Sequence, residues 1–230
     1  KLRGLLRSIQ REYKRYKQGL DRHAPRHSEG GGSRHSEGSG SRRMTLSLVG
    51  HFIKKEPKKN YCCQHSILRR SLEKQARLLA LACANQKQGA QVTGCDGAGN
   101  ELHAPPEVFA PAFRRMRFSG FRHFTYHAGE DFTHLLGGIR AVYEAIVFLD
   151  LGPGDRIGHA TALGISPGLW RERTGADVAV RRPHLLDDLV FAWSLLREEQ
   201  GQLPMISKLE REILRLALKV YRNMPTPPVH

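Results

Sequence analysis

Apolar positions along the chain fall into two periods, and the switch between them marks out elements. Leu2, Leu5, Leu6, Ile9, Tyr13, Tyr16 and Leu20 recur at helical spacing, which predicts an amphipathic helix over residues 2–20. Its other face is largely basic, most simply a solvated charged face, with an RNA- or membrane-binding helix as the alternative. From Thr45 onward the pattern alternates. Thr45 to Ile53, Gln91 to Asp96, Phe121 to His127 and Asp155 to His159 read as strands. Between them, Cys63 to Asn85, Pro106 to Met116 and Phe132 to Leu149 read as helices. Inward positions are Leu68, Leu72, Ala76, Leu79 and Cys83 on the first helix, and Val108, Phe109 and Phe113 on the second. After Ala162 the text turns helical, with Pro183 to Glu199 and Ser207 to Asn223 as two more helices. Val178-Ala179-Val180 is a short fifth strand candidate, and Pro225, Pro227 and Pro228 end the helical text.

Strands separated by helical crossovers of this length must pair in parallel. Parallel strands need cover on both faces, so the class is α/β. The expected architecture is a partial (β/α) barrel of about four parallel strands with helical segments at each end. A complete eight-stranded barrel takes roughly 250 residues. The expected division is a basic helix over 1–25, a linker over 26–43, the β/α portion over 44–165 and a helical insertion or extension over 166–230. Residues 26–41 hold a tandem repeat, Arg26-His27-Ser28-Glu29-Gly30-Gly31-Gly32-Ser33 followed by Arg34-His35-Ser36-Glu37-Gly38-Ser39-Gly40-Ser41. Such Gly/Ser-rich sequence cannot bury a core. His27 and His35, eight apart in it, make a poor metal pair.

Composition changes this picture in one respect. Lys and Arg number 37 against 22 Asp and Glu, a net charge of +15. That balance suits anionic partners, such as RNA, nucleotides or acidic protein surfaces, and equally suits a soluble basic protein. Hydrophobic residues make up 40% of the chain, which is globular rather than disordered. Cys62, Cys63, Cys83 and Cys95 form no Cys-x-x-Cys pair, so a structural zinc knuckle is not expected. Free thiols point to a reducing, cytoplasmic setting. No apolar run is long enough to span a bilayer and no signal peptide is visible, so no membrane partner is expected. The chain starts with Lys1 rather than Met, which fits a fragment or a processed product. A homo-oligomer is admitted.

Candidate chemistry sits at the ends of the strands. Thr125-Tyr126 leads into His127-Ala128-Gly129-Glu130, and Asp155-Arg156-Ile157-Gly158 leads into His159. In a β/α barrel, that rim is where active sites are built. An imidazole able to bind metal, a carboxylate and a second imidazole are parts of a metal-assisted hydrolase. Taken singly, such a histidine more often caps a strand, and such a glutamate precedes a helix on the surface. Positions three apart on a straight strand face opposite sides, so His127 and Glu130 share a site only if the chain turns at Ala128-Gly129. On the same rim His51, Lys54 and Lys55 end the first strand and could meet a phosphate or sugar; for the lysines a solvated loop is the simpler expectation.

Three segments in order, Thr93-Gly94-Cys95-Asp96-Gly97-Ala98-Gly99-Asn100-Glu101, Tyr126-His127-Ala128-Gly129-Glu130 and Asp155-Arg156-Ile157-Gly158-His159, resemble the motifs of the adenosine deaminase family. That family is a metal-dependent branch of the amidohydrolases. The likeness covers about residues 44–165. The phrasing Asn100-Glu101-Leu102-His103-Ala104-Pro105-Pro106-Glu107 and Ile157-Gly158-His159-Ala160-Thr161-Ala162-Leu163 looks most like the large deaminases of the bacterial RADAR antiviral defence system.

The resemblance implies roles for five residues. His127 would be a ligand to zinc. Glu130 would be the general acid/base that protonates the purine ring nitrogen, held protonated by burial. His159 would orient the metal-bound water. Gly99 would present its backbone amide to the purine, and Asp96 would support the site; without the resemblance, Asp96 to Gly99 is an ordinary turn. The implied substrate is a purine nucleoside or nucleotide, and the implied reaction is hydrolytic release of ammonia. Three features depart from the family. No His-x-His pair stands in residues 1–43, and no late aspartate follows a strand; Asp187-Asp188 lies in a helical run and is not assigned to the metal. Ala160 replaces the glycine usual after the second histidine. The expectation is therefore an incomplete catalytic domain, inactive by itself. The alternative is a non-catalytic protein that keeps the fold for assembly or for binding nucleotide or RNA.

Overall fold

The computed structural model describes residues 2–23, 46–57, 65–84, 91–175, 177–198 and 203–221. The repeat at 26–41 and cysteines Cys62 and Cys63 lie outside the described residues. The elements in order are α1 (Leu2–His23), β1 (Ser47–Ile53), α2 (Ser66–Cys83), β2 (Gln91–Ala98), α3 (Ala110–Phe118), β3 (His123–Ala128), α4 (Leu135–Leu149), β4 (Arg156–His159), α5 (Pro167–Thr174), α6 (Arg182–Glu198) and α7 (Leu203–Val220). Two single 3₁₀ turns, Glu101–His103 and Pro106–Val108, separate β2 from α3.

The four strands form one sheet in the order β1-β2-β3-β4, and every neighbouring pair is parallel. The α/β expectation is met: right period, right crossovers, parallel pairing. The register aligns His51 with Asp96, Asp96 with Thr125, and His127 with Gly158. Sequential parallel order puts the carboxyl ends of all four strands on one rim.

One face of the sheet is covered. Phe52, Cys95, Phe124 and Tyr126 from the strands meet Leu68, Leu72, Ala76 and Leu79 of α2, Phe113 and Met116 of α3, and Val142, Ala145 and Leu149 of α4 in one core. Phe113 is the centre of it. It is fully buried, and its ring lies 5.4 Å from Phe124, 6.2 Å from Tyr126 and 6.3 Å from Phe52. The positions that alternate with these, including Val49, His51 and Ile53 of β1, occupy the other face. Val49 and Ile53 are each 46% exposed there, so that face is open among the described residues.

Three expectations need correction. Val178-Ala179-Val180 is not a strand: those residues have no regular structure and pair with nothing in the sheet. Three β-branched or small residues do not make a strand without a neighbour to take their backbone hydrogen bonds. The helix α5 falls where none was expected, because Leu169-Trp170-Arg171-Glu172-Arg173 shows no apolar stripe. Pro167 in its first turn and Gly175 directly after it, at φ 82°, mark its two ends. The third concerns α4, which begins at Leu135 rather than Phe132, because His134 is its N-cap and accepts from the Leu136 amide through its ring nitrogen. Among the described residues, no helix is long and apolar enough to cross a membrane.

Candidate active site

Asp96 organises the rim. It lies in β2, only 2% exposed, and its two carboxylate oxygens go to two histidines on the neighbouring strands. Oδ1 is 3.1 Å from His127 Nδ1, and Oδ2 is 2.9 Å from His51 Nδ1. An ionised carboxylate can only accept, so each neutral imidazole donates from Nδ1 and carries its lone pair on Nε2. The arrangement follows from parallel register: Asp96 is level with His51 on β1, and His127 stands two positions beyond Asp96's partner Thr125 on β3. The His51 pairing was not legible in the sequence, where nothing linked a histidine ending β1 to an aspartate in β2.

Room for the His127 ring comes from Gly158. A Cβ there would lie 2.3 Å from His127 Cδ2 and 2.8 Å from its Nε2, so the ring lies directly against the β4 backbone. The His159 ring stands 5.2 Å from the His127 ring, centre to centre.

The turn expected at Ala128-Gly129 is present. Gly129 has φ 85°, and a Cβ there would come within 2.7 Å of Val142. It swings Glu130 back over the rim, where Glu130 Oε2 is 3.1 Å from His159 Nε2. The expected burial of Glu130 is not found. Its side chain is 51% exposed, because the face of the sheet in front of it is open. The loop carrying it is held from both sides. Glu101 accepts from the amides of Glu130 at 2.9 Å and Asp131 at 3.3 Å. From the β4 side, Ala160 N donates to Ala128 O, and the Thr161 hydroxyl and Ala162 N both donate to Gly129 O.

Gly99, at φ 107°, ends β2 on the same rim, where a Cβ would meet the Lys54 carbonyl oxygen at 3.3 Å. Lys54 itself is a correction. It was expected in a solvated loop and is 3% exposed. Its ammonium donates to the His127 carbonyl oxygen and sits over the Tyr126 ring, 4.2 Å from the centroid. Burial pushes its pKa down to about 8, against the upward pull of Glu101, Asp96 and Asp131.

His159 and Ala160 both have left-handed backbones, at φ 64° and 51°. This conformation costs a non-glycine residue roughly 1–2 kcal/mol. Ala160→Gly is therefore expected to raise stability, by about 0.5–1 kcal/mol after the extra chain entropy of glycine is subtracted. Urea denaturation of the two proteins, compared at equal slope, measures it.

Of the five residues singled out from sequence, the structure brings Asp96 and His127 into contact, pairs Glu130 with His159, and sets Gly99 on the same rim. Asp187 and Asp188 are elsewhere, on α6. Asp188 is buried and accepts from Arg140 Nε at 2.7 Å, while Arg140 also reaches Glu144 on α4. Among the described residues, no group of three or more His, Cys, Asp or Glu side chains could hold a metal ion. Comparison with family models and with curated proteins returns no match to this chain.

Proposed function

We propose that this rim is the partial site of an adenosine deaminase-like hydrolase acting on a purine nucleoside or nucleotide. The observation that carries the reading is the pair of couples on adjacent strands, Asp96–His127 and His159–Glu130, whose imidazole rings lie 5.2 Å apart, centre to centre. A neutral His127 that donates from Nδ1 to Asp96 keeps its lone pair on Nε2, the state in which an imidazole can ligate zinc. One imidazole does not hold the ion, so the remaining ligands belong outside the described residues. Glu130 can exchange a proton with His159 or with a ring nitrogen of a base lying over the rim. His159 can accept from, and so orient, a water between itself and the base. The Gly99 backbone is exposed at the end of β2, where a flat ligand could meet it. A barrel closed by further strands would cover the open face and exclude water from this chemistry.

A second reading, binding of RNA without catalysis, is favoured by one observation. Arg7, Arg11 and Lys14 on α1, and Arg70, Lys74 and Arg77 on α2, form two exposed helical stripes. None of the six has an acidic partner among the described residues.

One set of measurements separates the two. Adenosine binding is followed by calorimetry, and its conversion to inosine by ultraviolet absorbance, with zinc supplied and removed. The expected result is adenosine binding that weakens about tenfold in Glu130→Gln and His159→Ala, a loss typical of one hydrogen bond to a charged group, with no turnover. Zinc-dependent turnover lost in Glu130→Gln would keep the deaminase reading and overturn the incompleteness of the site. Absence of adenosine binding, together with RNA binding that falls steeply with salt, would replace the deaminase reading with the second one.

A further inference from the structure

We propose that Lys54 is a positioning residue for His127, tying the end of β1 to the backbone at the end of β3. The role rests on the deaminase reading for its chemical purpose, but the geometry of the tie stands without it.

The argument starts from cost. Removing an ammonium group from water carries a penalty of several kcal/mol after relaxation. Lys54 is 3% exposed, yet no carboxylate lies within ion-pair distance of it among the described residues. Glu101, Asp96 and Asp131 act on it only from farther away. A methionine or leucine would fill the same space without that penalty. What the lysine has instead is a direct hold on two consecutive residues of β3. Its ammonium donates to the carbonyl oxygen of His127 and lies over the ring of Tyr126. Both contacts need a cation with donor hydrogens at that one point.

Its own backbone is fixed as well. The Lys54 amide donates to Ala98 O at 2.8 Å, just past the end of β1. The side chain therefore starts from a rigid strand end and reaches across the end of β2 to β3. This reach is open because Gly97 and Gly99 bring no side chains there; a Cβ on Gly97 would strike the Tyr126 ring at 2.4 Å.

The consequence is local and specific. His127 is held at three points: at ring Nδ1 by Asp96, at the ring face by Gly158, and at its carbonyl by Lys54. The first two limit the ring and the third limits the backbone from which it hangs. His127 O is also the last carbonyl before the Ala128-Gly129 turn, so the tie sets where that turn begins and hence where Glu130 comes down.

The test uses residues 1–230, with Lys54→Met as the variant that keeps length and loses the cation, and Lys54→Arg as the conservative one. In the unsubstituted protein, a scalar coupling across the hydrogen bond between Lys54 ¹⁵Nζ and the His127 carbonyl ¹³C is expected in NMR spectra. Lys54→Met is expected to keep its far-ultraviolet circular dichroism while the His127 ring ¹⁵N signals move from the Nδ1-protonated form towards an average of both forms. Adenosine affinity is expected to fall about tenfold, the size of effect seen when an outer support of a site residue is lost. Lys54→Arg is expected to restore both signals in part. A folded Lys54→Met protein with unchanged His127 ring signals overturns the proposal, as does the absence of the coupling in the unsubstituted protein. If Lys54→Met does not fold, the coupling in the unsubstituted protein and the His127 ring signals of Lys54→Arg decide it. If no protein in the set binds adenosine, the deaminase reading fails, while the His127 spectra still decide the role of Lys54.

Discussion

Phe113→Ala lowers the free energy of unfolding by about 3–5 kcal/mol, the range for truncating a fully buried aromatic side chain. Phe113 projects from α3 into the rings of Phe52 on β1 and of Phe124 and Tyr126 on β3. No part of it reaches solvent, so its loss leaves a cavity bounded by elements that cannot all move inward. Against a typical domain stability of about 5–15 kcal/mol, this is a large share. The effect also reaches the rim. Phe52 precedes Lys54 by two residues, and Tyr126 is both the neighbour of His127 and the ring under the Lys54 ammonium. Guanidinium denaturation is the measurement: the midpoint falls while the slope holds, if the change is one of stability alone. A shift of under about 1 kcal/mol would mean that the core closes over the gap, contrary to the packing described.

Asp96→Asn keeps the shape of the side chain and breaks the symmetry of its hydrogen bonds. The carboxylate accepts from two Nδ1–H groups, at His51 and His127. An amide has one accepting oxygen and one donating nitrogen. One of the two imidazoles must then move its proton to Nε2, or leave a buried contact unmade. In the deaminase reading, if His127 is the one that changes, its Nε2 lone pair is lost and metal affinity of the completed site falls about 10–100-fold. Ring ¹⁵N spectra at neutral pH read the change directly: two Nδ1-protonated histidines in the unsubstituted protein, and one in the variant. Two unchanged histidines in the variant would show that Asp96 does not set their tautomers. Stability changes less than in Phe113→Ala, since His51 is more than half exposed and water can take the place of its partner.

The sequence by itself determined the alternation of elements, the parallel pairing, and the positions of His127 and His159 at the carboxyl ends of their strands, whereas β2 runs two residues past its expected end at Asp96. The reason is that these depend on local period and connection length. Leu68, Leu72, Ala76 and Leu79 mark the buried side of α2 through their spacing alone, and they are the buried residues of that helix. A crossover as long as α2 or α4 has the length that a parallel connection needs, and a short hairpin turn does not. The turn at Gly129 was legible for the same reason, since it was needed to bring His127 and Glu130 to one side.

Tertiary structure alone decided what those residues touch. His51 meets Asp96 because β1 and β2 pair in one register, and a shift of one residue would put them on opposite faces. Lys54 is buried because Tyr126 and the His127 carbonyl, 72 and 73 residues later, happen to lie where its side chain ends. A lysine after a strand carries no mark in sequence that separates this case from a solvated loop. Glu130 remains half exposed for the converse reason: its burial needs cover over the open face of the sheet, which no residue near it in sequence can supply. Val178-Ala179-Val180 failed as a strand on the same ground. A short β-branched run has strand propensity, but only a neighbouring strand in space can satisfy its backbone groups, and α6 begins before the chain returns to the sheet.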